Sequence, residues 1–161
     1  MIYRPARPED CAAICGLIRE LAVYEKLEHL MEISPSDLER DIFGPNPPIR
    51  SIVAEREGDV IGYAIFFRSY STFLGKAGIW LEDLYVKQTE RGGGIGKRLL
   101  AEVGKIARAE TAGRLEWSVL DWNEPAIGFY RRLGADILPD WRICRLTGEG
   151  IDTLARFSDA D

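Results

Sequence analysis

Apolar residues recur along this chain in two different periods. Ile14, Leu17, Ile18 and Leu21 repeat at three- and four-residue spacing and predict a helix opened by Glu9-Asp10. Leu99, Leu100, Val103, Ile106 and Ala107 repeat likewise. They predict a helix from Ile95 to about Glu110, stopped by Thr111-Ala112-Gly113. Ser34-Pro35 predicts another start, because serine caps a helix and proline fits its first position. That helix ends near Phe43-Gly44, since Pro45, Pro47 and Pro48 forbid its continuation. A fourth helix runs from Asn123 to Leu133, with Asn123 as cap, Pro125 in the first turn and Gly134 just past the end.

The remaining apolar runs read as strands. They are Ile2 to Arg4, Ser51 to Glu55, Val60 to Tyr70, Ile79 to Val86, Leu115 to Leu120 and a last one at Ile143 to Leu146. Glu57-Gly58-Asp59 is a turn signal, Ser71 to Gly78 a looser connection, and the tail from Asp152 is polar and expected to fray. Strands alternating with helices predict one α/β (α+β) sandwich domain over residues 1–161.

Composition narrows the class. Net charge is -5 and pI about 5.1, which predicts no nucleic-acid partner and favours a cationic small molecule. No run approaches the ~20 apolar residues of a membrane span, and Met1 to Pro5 carries no leader pattern, so the expected location is cytoplasmic, with no membrane partner. Cys11, Cys15 and Cys144 are an odd set for a disulfide framework; the first two read as small buried residues on a helix face. His29 is the sole histidine, which excludes a histidine-rich metal site, and no metal is expected.

The stretch Arg91-Gly92-Gly93-Gly94-Ile95-Gly96-Lys97-Arg98 lies between a strand and a helix. Glycines let backbone N–H groups approach an anion, and the helix N-terminus adds partial positive charge. Lys97 and Arg98 oppose the macrodipole there, which suits a helix that receives phosphates; a flexible turn with solvated charges is the alternative. The spacing fits neither a Rossmann fingerprint nor a P-loop: Lys97 or Leu99 stands where the third Rossmann glycine belongs, and Lys97 is followed by Arg98.

Four segments in order carry a resemblance: Leu81 to Val86, the loop Arg91-x-x-Gly94-x-Gly96, Asp121 to Pro125, and Phe129 to Ala135. Together with Glu20 to Lys26, they make the chain similar to the GNAT superfamily of acetyl-CoA-dependent N-acetyltransferases. Within it, the chain resembles the diamine (spermidine/spermine) acetyltransferases and the thialysine N-epsilon-acetyltransferases. The resemblance implies a mixed, twisted sheet whose central parallel strands, 79–86 and 115–120, splay apart, with a bulge near the end of the first. It implies acetyl-CoA as co-substrate, held by Leu84, Tyr85, Val86, Arg91, Gly92, Gly93, Gly94, Ile95, Gly96, Lys97, Asn123, Glu124, Pro125, Ala126 and Tyr130. It also implies a homodimer.

An aliphatic amine is mostly protonated at neutral pH, and only the neutral form attacks a thioester. Glu82 and Asp83 interrupt an apolar strand, an arrangement that costs stability unless they are solvated or paired. Glu82 is expected as the base, through a water, and both as attractors of the cation; a solvated strand end is the alternative. Similar enzymes place a tyrosine at Tyr130 as general acid toward the leaving thiolate. Tyr24, Glu25, Glu116, Trp117, Ser118 and Asp140 complete the acceptor positions that the resemblance implies. Asp140 is the weakest, because the segment before Trp141 is shorter here than in similar proteins. The acceptor is expected to be a polyamine, diamine or thialysine-like amine. The alternatives are another acceptor, such as an antibiotic amine or a protein N-terminus, and a CoA-binding module without turnover.

Overall fold

Continuous buried runs along the middle of the chain become an antiparallel meander. In the computed structural model, which describes residues 1–159, β2 (Arg50–Arg56) and β3 (Asp59–Ser71) pair around the Glu57-Gly58 turn. β3 then pairs with β4 (Lys76–Val86). β1 (Ile2–Pro5) adds to the free edge of β2, and the short β5 (Leu115–Glu116) lies parallel to β4. The sheet order is β1-β2-β3-β4-β5, a mixed sheet whose one parallel pair is joined through α3 (Ile95–Ala109). The chain divides into two units, Met1–Ser118 and a second from Val119 onward, and each is described by itself.

The first unit is built on both faces of this sheet. On one face α1 (Cys11–Glu25) and α2 (Pro35–Phe43) bury Cys11, Ile14, Cys15, Leu17 and Leu38 against Val53, Tyr63, Ile65 and Tyr85. α1 starts where Asp10 accepts the Arg7 amide at 2.7 Å and ends at Lys26, whose φ of 61° is left-handed. α2 starts on a reciprocal cap: Ser34 Oγ accepts from the Asp37 amide and Asp37 from the Ser34 amide. On the other face α3 buries Leu99 and Val103 completely, each contributing about 1.5–3 kcal/mol. Gly62 permits this approach, for a Cβ there would stand 2.9 Å from the Tyr85 carbonyl oxygen and 3.3 Å from Leu99.

Several boundaries differ from expectation. The connection at 71–78 is a tighter hairpin, since β4 already begins at Lys76. The strand expected at 115–120 pairs only through Leu115 and Glu116. β4 carries an extra residue from Glu82 onward, so a parallel partner in step with Ile79 and Trp80 falls out of register beyond them.

The second unit holds α4 (Glu124–Arg132) and α5 (Glu149–Arg156). Asn123 caps α4 by accepting the Ala126 amide, and Gly134 takes a left-handed φ of 84° just past its end. Residues 143–146 form no strand, and Ile143 and Leu146 are exposed; a strand needs a partner ladder, and none is paired there. The tail from Asp152 is helical through Arg156, with its polar residues on an exposed helix. No helix among the described residues is long and apolar enough to cross a membrane.

Candidate functional site

The middle of β4 is where the sheet becomes irregular. Ile65 pairs with Asp83 and Phe66 with Leu81, so Glu82 is an extra residue in β4. The bulge changes which face each side chain takes. Gly62 faces α3, so the even positions of this part of β3 do so too, and Leu81 opposite Phe66 joins them. Past the bulge, Asp83 and Tyr85 lie opposite Ile65 and Tyr63 on the α1 face. Without it, Leu81 and Asp83 would share one face.

Asp83 therefore stands among groups of its own sign. The Tyr63 hydroxyl donates to Asp83 Oδ2 at 3.3 Å, and Tyr63 is completely buried. Burial, followed by repulsion from Glu82 and Glu25, pushes the Asp83 carboxyl up to about 6, while the Tyr63 bond holds it down. Burial also raises Glu25, at the end of α1, and burial together with Asp83 lifts the Tyr63 phenol well above its ordinary value. Glu82 is exposed, and its Oε2 accepts the Trp80 indole N–H at 3.0 Å. A cation placed beside these carboxylates would relieve the repulsion among them.

Beside it lies Arg91. Its guanidinium sits 5.1 Å from the ring centres of both Tyr24 and Tyr85, and its Nε donates to the Val86 carbonyl at 3.0 Å. The Tyr85 hydroxyl in turn donates to Glu20 at 3.1 Å. The structure thus gathers Tyr24, Glu25, Asp83, Tyr85, Val86 and Arg91 around the junction of α1 and the end of β4. Leu84 follows Asp83 on β4, half-buried.

The glycine loop continues from there into α3. Gly92 and Gly94 have φ of 90° and 78°, and a Cβ on Gly92, Gly93 or Gly94 would meet nothing within 4 Å. Gly94 caps α3 without a side-chain hydrogen bond. The first α3 amides, from Ile95 through Gly96 and Lys97, therefore begin a helix open to an anion, and the loop fits a diphosphate. Lys97 is exposed at this start. Arg98 turns away, donating to Glu102 at 2.8 Å and stacking on Tyr3 at 5.6 Å.

Parallel pairing between β4 and β5 stops at Trp80 and Glu116, which leaves the far edge of Glu82 to Val86 outside that ladder. Glu116 is engaged by Arg114 at 2.6 Å, while Trp117 and Ser118 follow β5 outside any strand.

In the second unit, Asn123, Ile127 and Tyr130 make one buried face of α4. The Tyr130 ring centre lies 5.2 Å from that of Phe129. Glu124 and Pro125 are exposed in the first turn, Ala126 is half-buried, and Asp140 is exposed.

Sequence reasoning missed Tyr63 and Glu20. Tyr63 reads as one more aromatic in an apolar strand; the available signal was its polar tip in the stretch Val60 to Phe67, otherwise free of hydrogen-bonding side chains.

Residues 12–135, which span both units, match the model of the acetyltransferase (GNAT) family. The chain is 40% identical to the thialysine N-epsilon-acetyltransferase of Bos taurus, covering 96% of this chain and 97% of that protein. It is 32% identical to the L-ornithine N5-acetyltransferase of Arabidopsis thaliana, covering 96% and 88%. Its fold superposes with a TM-score of 0.80 on an integron cassette protein from the mobile metagenome of V. cholerae, at 24% identity and over 96% of this chain and 97% of that one. Mixed sheet, glycine loop and family match converge: this chain belongs to the GNAT family and is an N-acetyltransferase.

Proposed function

We propose that the protein transfers acetyl from acetyl-CoA to the primary amine of a small cationic acceptor, a diamine, polyamine or thialysine-like molecule. The observation that carries the reading is the β4–β5 ladder ending at Trp80, together with an α3 start without a side-chain cap. The first leaves the edge of β4 beyond Trp80 outside the parallel ladder, where an extended arm can run; the second offers amides to a diphosphate. Arg91, Gly92, Gly93, Gly94, Ile95, Gly96 and Lys97 hold the diphosphate, and Leu84, Tyr85 and Val86 lend backbone groups to the arm. Asn123, Glu124, Pro125 and Ala126 are assigned to the same cofactor. When bound, acetyl-CoA supplies the activated acetyl thioester.

The acidic residues select the acceptor. Glu25, Glu82 and Asp83 attract an ammonium group, with Tyr24, Glu116, Trp117, Ser118 and Asp140 assigned to the rest of the acceptor. Two relatives are named for acetylating the ε-nitrogen of thialysine and N5 of L-ornithine, which supports an amine on a flexible aliphatic chain.

Proton accounting sets the remaining roles. The ammonium loses one proton before its lone pair can attack, and a second as the amide forms. The departing sulfur gains one, so each turnover releases one proton. The β4 carboxylates take the first proton, and the Tyr130 hydroxyl protonates the sulfur as general acid. Holding both reactants in line makes a covalent enzyme intermediate unnecessary. We further assign the protein to the cytoplasm and to a homodimer.

The test is thiol release from acetyl-CoA in the presence of thialysine, L-ornithine, lysine, spermidine, an aminoglycoside and an N-terminal peptide. Turnover with the aliphatic amines is expected. Release with the aminoglycoside or the peptide alone would overturn the acceptor class, and silence throughout would overturn the transfer itself.

A further inference from the structure

We propose that Asp83, rather than Glu82, takes the proton from the acceptor amine, and that Tyr63 is its positioning residue. The inference deepens the proposed transfer reaction and rests on it.

The two neighbouring carboxylates are not equivalent. Glu82 sits on the bulge, exposed, with Oε2 engaged by the Trp80 indole. Asp83 is turned by the same bulge toward α1. Tyr63 faces Tyr85 directly across the strands and reaches Asp83 along the diagonal. Because Tyr63 is completely buried, it cannot follow a moving partner, so its hydroxyl fixes Asp83 Oδ2. The other carboxylate oxygen carries no protein hydrogen bond among those the structure gives Asp83 and is the one assigned to the amine.

The surroundings suit a proton acceptor. α1 contributes Glu25 and Glu20, β3 contributes Tyr63, and β4 contributes Glu82 and Tyr85; Arg91 stacks on Tyr85 rather than on Asp83. Glu82 and Glu25 raise the basicity of Asp83 along with its burial, and the Tyr63 hydroxyl limits the rise. A base acts best when its pKa lies near the working pH, and Asp83 at about 6 is deprotonated at neutrality yet still basic. The N–H bond of the ammonium breaks, the proton moves to the Asp83 carboxylate, and it passes to solvent before the next turnover.

The experiment compares pH profiles of kcat/KM for thialysine acetylation in the parent, Tyr63→Phe, Asp83→Asn and Glu82→Gln. The parent is expected to lose activity as pH falls through about 6. Tyr63→Phe removes a donor to the charged form, so this acid limb should move up by about half to one pH unit. Asp83→Asn should abolish the limb and lower kcat/KM by about 10²–10⁴-fold. Glu82→Gln should raise KM several-fold and keep the limb. A limb unmoved in Tyr63→Phe, or one lost in Glu82→Gln but kept in Asp83→Asn, overturns the assignment. Carbon-13 carboxyl NMR of Asp83 without substrates separates this from the reaction itself. An upward shift of its titration in Tyr63→Phe supports the contact even if no amine is acetylated, and an unchanged titration refutes it.

Discussion

Replacing Asp10 with alanine removes the hub of a charge cluster that ties β1, α1 and β2 together. Asp10 accepts two bonds from Arg4, at 2.6 and 3.0 Å, and the Arg7 amide at 2.7 Å. Arg4 also reaches Glu55 at 2.6 Å, and the Arg4 and Asp10 side chains are 14% and 5% exposed. Breaking a buried pair costs about 3–5 kcal/mol when the surviving charge is left alone. Arg4 keeps Glu55, so the low end, about 3 kcal/mol, applies to Asp10→Ala. At about 2–4 °C per kcal/mol for a chain of this size, Tm falls by roughly 6–12 °C.

The pH dependence gives a sharper check. Burial alone would push the Asp10 carboxyl up, but Arg4 and the Arg7 amide outweigh it and hold it below the ordinary carboxylate value. A depressed folded pKa means that the contribution is complete above the unfolded value, about 3.9, and is lost as pH falls through the folded one. Thermal unfolding of parent and variant should therefore show a constant gap from about pH 7 to 5 that closes below about pH 4. A gap under about 2 °C at pH 7, or one that widens in acid, would refute the reasoning.

Two further outcomes concern the candidate site. Gly94→Val should weaken acetyl-CoA binding at least about tenfold by calorimetry, because Gly94 has φ of 78° and its Cβ would enter the open space over the loop. Unchanged affinity would remove the diphosphate from this turn. Tyr130→Phe should slow acetyl transfer by about 10²–10⁴-fold while acetyl-CoA still binds, as expected for a lost general acid. A variant matching the parent at every pH would show that Tyr130 is not the acid.

Features encoded by neighbouring residues are legible in the amino-acid order itself. The α2 cap needs only Ser34, Pro35 and Asp37, and the α3 start needs only its glycines. The acidic pair on β4 is visible as two charges in an apolar run. What escapes depends on pairing between distant strands. The extra residue at Glu82 exists only relative to β3, so the turn of Asp83 toward α1 cannot be read from 79–86 alone. The same holds for Tyr63, whose role lies in a partner two positions along the diagonal. β5 is short for a related reason: Leu115 to Leu120 has strand composition, but its length is set by β4. At 143–146 composition suggests a strand, yet no neighbour supplies the ladder.

The unzipped end of β4 also bears on solubility. A strand edge outside a ladder is a template for a strand of another molecule, and a half-buried apolar residue such as Leu84 would favour that union. Glu82 and Asp83 stand beside this edge, and their charges repel an identical strand arriving from a second molecule. Substituting either with a neutral or apolar residue then invites fibrillar self-association, so light scattering belongs beside every rate measured on such variants.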